Sequence, residues 1–347
     1  MIDRILHPPE RLSRREFLGF SAFGLLALGV PLRWSQARFD LRERLLGRVA
    51  EPRAYVYTEP SFAGERVRAV LRDTLLPIDG AVVGGPEPAH NRVWYRVPGQ
   101  GFLHSAPIQP VRDVRNLPLE AIRPAGELME VTIPFVDARW EPSPTARRAY
   151  RYYYETTHWV NGRTQDEGGQ VWYRVHDDLA GREYWAAAEA FRRVDLAELT
   201  PIAPDVPPDE KHIEVNLSEQ WMCCSEAGAP VFMVRISSGM QVRFDLPLTP
   251  HGEFATRRKR PSRHMTGTAG GSPYDLPGVP WVAYLTDTGI AFHGTYWHND
   301  FGVPRSRGCI NMATGAARWL YRWTRPLVPV SEQEIRRPVG TRVRIRA

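Results

Sequence analysis

Apolar residues come in short runs bounded by Pro, Gly, Asp or Asn, not in the three-and-four spacing of long helices. Tyr55-Val56-Tyr57, Ala69-Val70-Leu71, Val131-Thr132-Ile133-Pro134-Phe135 and Tyr150 to Tyr154 are β-branched or aromatic, and read as strands. Val93-Trp94-Tyr95-Arg96-Val97 returns downstream as Val171-Trp172-Tyr173-Arg174-Val175. Its alternation predicts one face in a core and one in solvent. Each copy thus marks a small β unit, over residues 48–115 and 126–196. A proline-rich stretch at 197–210 reads as a semi-rigid linker. Beyond it, a last domain spans 211–347. Ile213, Val215 and Leu217 alternate, and Trp221-Met222 and Val231 to Val234 continue the pattern. Trp281 to Leu285 and Gly289 to Phe292 predict two strands leading to His293. Met312 to Tyr321 predicts a helix, and Val339 to Ile345 a closing strand. The fold class is mainly β.

The one long apolar stretch, Phe17 to Leu32, follows Ser13-Arg14-Arg15-Glu16-Phe17-Leu18. Paired arginines ahead of Phe-Leu and a mildly apolar segment resemble a twin-arginine export signal. The segment is shorter than the ~20 residues that cross a bilayer comfortably. Residues 1–37 therefore predict a signal peptide or an uncleaved anchor, with an amphipathic helix carrying a chance arginine pair as the alternative. An exported signal places the protein in the extracytoplasmic cell envelope, touching membrane only through this segment if uncleaved.

Composition agrees with packed domains: 43% apolar and 24% charged residues, with 31 Pro and 28 Gly favouring turns. The net charge of +6 gives a mild attraction to polyanions. No Lys/Arg stripe carries interleaved aromatics, so nucleic acid is not an expected partner. The run Arg257-Arg258-Lys259-Arg260 reads as a solvated loop. Trp140, Tyr152 and Trp159 read as core. Three cysteines make no disulfide framework, and Cys223 and Cys224 are adjacent. No zinc-ligand spacing occurs, so no metal is expected. Cys309 remains to be explained.

Cys309 lies sixteen residues after His293, in Ser306-Arg307-Gly308-Cys309-Ile310-Asn311. A thiol attacks a carbonyl as the thiolate, and a nearby imidazole can take its proton. Gly308 lets backbone approach a substrate. Amides at 308 and 309, at the start of a helix, would favour an anion. By itself this is a Cys and a His in turns, and a lone Cys is by default buried and inert.

His293-Gly294, the sixteen-residue gap, Ser306, Gly308, Cys309, Ile310 and Asn311 together resemble the L,D-transpeptidases, as does Thr249-Pro250-x-Gly252-x-Phe254 after Ser238-Gly239. The resemblance covers roughly 211–330. It implies a β-rich catalytic domain with a short helix after the nucleophile. It implies Cys309 as nucleophile, His293 as general base and acid, and the Gly294 carbonyl orienting the imidazole. Gly308, Ser306, Arg307, Asn311, Tyr284 and Trp297 become candidates for oxyanion or substrate contact. No cofactor or metal is required. The implied partners are donor and acceptor peptidoglycan stem peptides, joined by a 3→3 cross-link through an acyl-enzyme. The two β units resemble SH3-like barrel modules, which implies either glycan contact or mere spacing. Arg307 departs from the family pattern, where a histidine is frequent, and cannot shuttle a proton near neutral pH. His298 reads as a solvated loop histidine. Stem trimming by an L,D-carboxypeptidase and non-catalytic wall binding remain as alternatives.

Overall fold

The computed structural model describes residues 45–240, 249–268, 273–329 and 332–347. The expected export signal lies outside the described residues. In the first module, Leu46–Val49 pairs antiparallel with Leu75–Pro77 and Ile108–Val111. Arg53–Tyr57 pairs with Arg66–Leu71 and Gly101–His104, which continues through Val93–Val97 to Gly80–Val83. Val49, Val56, Val70, Leu103 and Ile108 fill its core. The second module is one antiparallel seven-stranded sheet. Tyr152, Tyr173, Val175, Tyr184 and Phe191 lie in its core.

Two readings of these modules need correction. Val131 to Phe135 is not one strand: Glu127–Val131 ends there, Phe135–Arg139 begins, and Pro134 cannot supply a ladder amide between them. The repeated pentapeptide does not have one dry and one wet face either. Trp94 and Val97 point to opposite faces, yet both are buried. Tyr57, Phe62 and His104 cover Trp94 locally.

The last domain stacks two five-stranded sheets. We number its strands β1 (Lys211–Asn216), β2 (Trp221–Glu226), β3 (Ala229–Arg235), β4 (Gly252–Ala255), β5 (Arg258–Gly267), β6 (Tyr274–Tyr284), β7 (Ala291–Gly294), β8 (Ile310–Met312), β9 (Ile335–Arg336) and β10 (Arg342–Arg346). The first sheet runs β3-β2-β1-β10-β4, the second β8-β7-β6-β5-β9. Only β1–β10 and β7–β8 are parallel pairs. Ile213, Val215, Met222, Trp281, Phe292, Ile310 and Met312 meet in the core between them. Helix α1 (Thr314–Trp323) adds Ala317, Leu320, Tyr321 and Trp323 to it.

The helix begins two residues later than predicted, because Met312 completes the parallel pair with Gly294. Its end explains why the basic run at 257–260 is no solvated loop. Lys259, 1% exposed on β5, donates to the Tyr321, Thr324 and Pro326 carbonyls. Lys211 donates to the Trp323 carbonyl at 3.0 Å. Two buried ammonium groups thus satisfy carbonyls that a helix C-terminus leaves open.

The proline-rich segment is pinned rather than free. Ile202 N–H donates to Arg322 O at 3.2 Å, and Arg322 Nε donates to Thr200 O at 2.7 Å. The second module is fused to the last domain: its Leu128, Trp159 and Val194 join the latter's core. Arg192 and Arg318, from opposite sides of that seam, share Glu130 and Glu198. All three domains meet at Arg48, which is 1% exposed and bonds Asp73, Gln109 and the Tyr296 carbonyl while lying over Tyr153.

Candidate active site

The chain between β7 and β8 returns to the sheet through a turn at 305–309, and a second segment clamps that turn. Arg305 and Ser306 N–H both donate to Ser238 O at 2.9 Å, and Met240 N–H donates to Ser306 O at 2.8 Å. Thr249 Oγ1 accepts from Gly239 N–H at 2.9 Å and donates to Gly308 O at 2.8 Å. Gly308 has φ +128°, which side-chain-bearing residues rarely adopt. A Cβ on Gly239 would lie 2.8 Å from Gly308 N, so backbone meets backbone there. The Ser238-Gly239 and Thr249 elements of the sequence pattern are therefore the buttress of the cysteine turn.

Ser306 belongs to the same frame. Its Oγ accepts from Gly308 N–H at 3.1 Å and donates to the Cys309 carbonyl. Its donor and one of its two lone pairs are thus used inside the turn, so its first role is to hold the turn. The Gly308 amide is committed for the same reason and is not a free oxyanion donor. Cys309 also does not begin a helix: β8 intervenes, and α1 starts at Thr314.

His293 pairs with Asn311 in the parallel β7–β8 ladder, and Cys309 leads into β8. Phe292, Ile310 and Met312 point into the core, so His293 and Asn311 point to the other face. His293 Nδ1 lies 3.0 Å from Gly294 O. A carbonyl can only accept, so Nδ1 carries the hydrogen and Nε2 keeps a lone pair. Burial pushes the imidazole down to about 4, against a small opposing effect of the Gly294 bond. Burial pushes the Cys309 thiol up to about 11, while the Ala291 backbone amide favours the thiolate. The thiol itself points to Gly289 O at 3.7 Å. At rest the pair is therefore a neutral thiol and a neutral imidazole, with no direct hydrogen bond between them among the described residues.

Around this pair, Trp297 is half-buried with its ring 5.6 Å from that of His293. Arg307 lays its guanidinium 4.8 Å from the Tyr274 ring centre, and its Nη1 is buried without a hydrogen-bond partner among the described residues. Tyr274 lies close enough to Cys309 and Arg307 to feel both: burial raises its pKa, the thiolate raises it further, and the guanidinium opposes. Tyr284 is elsewhere. It is 6% exposed, packed with Val279, Val282 and Ala291 under Arg258, and is a core residue rather than a groove residue.

Residues 210–345 match YkuD, the L,D-transpeptidase catalytic domain. This part of the chain belongs to that family. A provisionally named L,D-transpeptidase, YciB of Bacillus subtilis (strain 168), is 26% identical over 129 residues, 34% of this chain and 63% of YciB. The chain thus spans less than two thirds of that relative. Among solved structures, the catalytic domain of the E. faecium L,D-transpeptidase is 27% identical, with 39% of this chain and 95% of that one covered at a TM-score of 0.31. The L,D-transpeptidase from Mycobacterium smegmatis is 18% identical, with 78% and 100% covered at a TM-score of 0.32.

Within this L,D-transpeptidase domain, two neighbours of the site escaped the sequence. Tyr274 stands far upstream of Cys309, and only the β5–β6–β7 pairing brings it close. His298 is not a solvated loop residue. It is 5% exposed, accepts from Asp300 N–H at 3.2 Å through Nδ1, and meets the Asn311 side-chain amide at 3.0 Å through Nε2. Asn311 is 1% exposed, so it is an interior neighbour of the pair and not a groove wall. The neighbouring Trp297 and Phe301 rings hide His298, which a count of polar residues in a loop does not foresee.

Proposed function

We propose that the chain is an L,D-transpeptidase that joins peptidoglycan stem peptides through an acyl-enzyme on Cys309. The observation that carries the reading is a half-buried Cys309 thiol entering the strand paired with that of a lone-pair-bearing His293, oriented by Gly294, inside a domain of the matching family. His293 Nε2 takes the thiol proton as Sγ attacks the carbonyl of the L-centred residue in a donor tetrapeptide. The C–N bond breaks, His293 returns the proton to the departing D-alanine amine, and a thioester remains. The side-chain amine of an acceptor's diamino acid then attacks the thioester. Its proton passes to His293 and on to the released Sγ. With Gly308 N–H held by Ser306, the Cys309 amide is the backbone donor left for the oxyanion. No step requires a metal or cofactor.

The low pKa of His293 suits this scheme, because a buried base must be neutral to accept a proton. Arg307, two residues before Cys309 and with no hydrogen-bond partner for Nη1 among the described residues, supplies a cation for a stem carboxylate. Export by the twin-arginine route and glycan contact by SH3-like modules belong to the same proposal. Trp140 (40% exposed) and Phe62 (49% exposed) support the latter, and the exposure of Trp140 corrects its reading as core; Tyr152 and Trp159 are buried. The test is incubation with donor and acceptor stems, followed by product analysis. A dimer linked between two diamino acids, absent with Cys309→Ala, is expected. Trimmed monomer alone would make the enzyme a carboxypeptidase, and unchanged stems would leave a wall-binding domain.

A further inference from the structure

The hydrogen bonds of His298 dictate more than its position. Nδ1 accepts from the Asp300 amide, so the neutral ring carries its hydrogen on Nε2. That N–H stands 3.0 Å from the Asn311 amide position assigned as Nδ2. An amide NH2 there would set donor against donor, so Asn311 turns its oxygen to His298. The other end of the amide is buried, and an oxygen there meets no donor among the described residues, so that end is the place for the NH2. Asn311 is the ladder neighbour of His293 and stands two residues from Cys309. With this orientation the amide directs a buried donor to the face that carries His293.

The lock is held from another domain. The Asp300 carboxylate is 2.9 Å from His90 Nε2 and 3.4 Å from Asn91 Nδ2, both in the first module, and 3.6 Å from Arg305 Nε. Ser237 Oγ donates to the Asp300 carbonyl at 2.9 Å. Asn299 N–H donates to Ala106 O at 2.8 Å, and Asn299 Nδ2 donates to the Tyr95 hydroxyl at 3.1 Å. The first module thus grips the loop between His293 and Cys309 at several points.

We propose that His298 is a positioning residue for the Cys309 reaction: fixed as its Nε2–H tautomer by Asp300, it turns Asn311 so that the amide NH2 stabilises charge developing at the thiolate, and the first module holds this lock through His90 and Asn91. The proposal rests on Cys309 as nucleophile but not on the identity of the stem. Both nitrogens of His298 are committed, so it does not replace the proton-carrying histidine that Arg307 displaces.

The test uses the full chain and two readouts. Nitrogen-15 imidazole NMR reports the tautomer without any substrate. The expected result is one His298 signal with hydrogen on Nε2, constant from pH 5 to 8; an Nδ1–H tautomer, or titration in that range, would overturn the lock. The second readout is the rate of Cys309 alkylation by iodoacetamide, located by peptide mass spectrometry. His298→Phe should slow it about tenfold or more at neutral pH and move its pH profile to higher pH, because the thiolate loses a donor, and His298→Gln, which keeps a donor, should recover most of the rate. His90→Ala with Asn91→Ala should lower it less, and less than additively on top of His298→Phe. Wild-type reactivity in His298→Phe, or slower alkylation with an unmoved pH profile, would sink the idea. If the NMR and alkylation results hold while no stem is acylated, only the substrate assignment fails.

Discussion

The second sheet of the last domain carries two histidine environments that differ in almost every respect. At β7 and β8, His293 faces a carbonyl, Cys309 faces carbonyl and amide, and among the described residues no carboxylate bonds either of them. On β5, His264 places Nδ1 2.9 Å from Asp177 and Nε2 against Asp275. A ring with a carboxylate at each nitrogen needs both hydrogens and is an imidazolium. Burial alone would lower its pKa, yet the bonds to Asp177 and Asp275 overcome this and raise it. The same burial without carboxylates sends His293 down to about 4. Partners decide whether a buried histidine is a charged fastener or a neutral base. Here the fastener ties the second module to the hairpin that carries Tyr274, and the base is left free for chemistry.

Removing either member of the neutral pair should have the largest effect. Cys309→Ala is expected to abolish acylation with an unchanged melting temperature. His293→Gln should cost about 10²–10⁴-fold in kcat/KM by steady-state assay. If His293→Gln lost less than tenfold, the base would lie elsewhere. Next comes the turn that holds the thiol. Gly308→Ala forces a side chain onto φ +128°, at a cost of about 1–3 kcal/mol. A loss of activity larger than the loss of stability, from denaturant melts, would show that the turn geometry matters to the chemistry.

A smaller effect separates the two histidine environments by pH. His158, His293 and His298 are held near 3, 4 and 3 by burial, against 6.5 when unfolded. Between about 6.5 and 4 the unfolded chain therefore binds more protons, and stability falls as pH falls through that window. His264 acts in the opposite sense: its contribution is complete below 6.5 and lost as pH rises through its raised folded value. His264→Gln should therefore lower stability by a constant amount below about 6.5 and flatten its decline on the alkaline side in thermal melts. An identical pH dependence in variant and parent would contradict the charged-fastener reading. Smallest of all, Arg344→Ala breaks only an exposed pair with Glu253, whose side chains are 70% and 64% accessible. It should leave the melting temperature where it is.

The placement of His293 at a strand end and of Cys309 in a turn was legible because that geometry is local, whereas the roles proposed for them came from the family resemblance. Most strands were legible for the same reason, since β-branched runs between turn residues depend little on distant context. The basic run at 257–260 was misread because burial of Lys259 depends on helix carbonyls more than sixty residues downstream. His298 was misread because its cover comes from aromatic neighbours and its anchor from the first module. Nor did the sequence show that a proline-rich segment would lie docked on α1, because prolines report stiffness and not what the chain rests upon.

The most direct measurement is the intact mass of the full chain after incubation with a tetrapeptide stem, followed by peptide mapping. The account predicts an adduct equal to the stem less its terminal D-alanine, on Cys309 and absent from Cys309→Ala. An unmodified chain that nonetheless turns over stems, or an adduct on another residue, would contradict it.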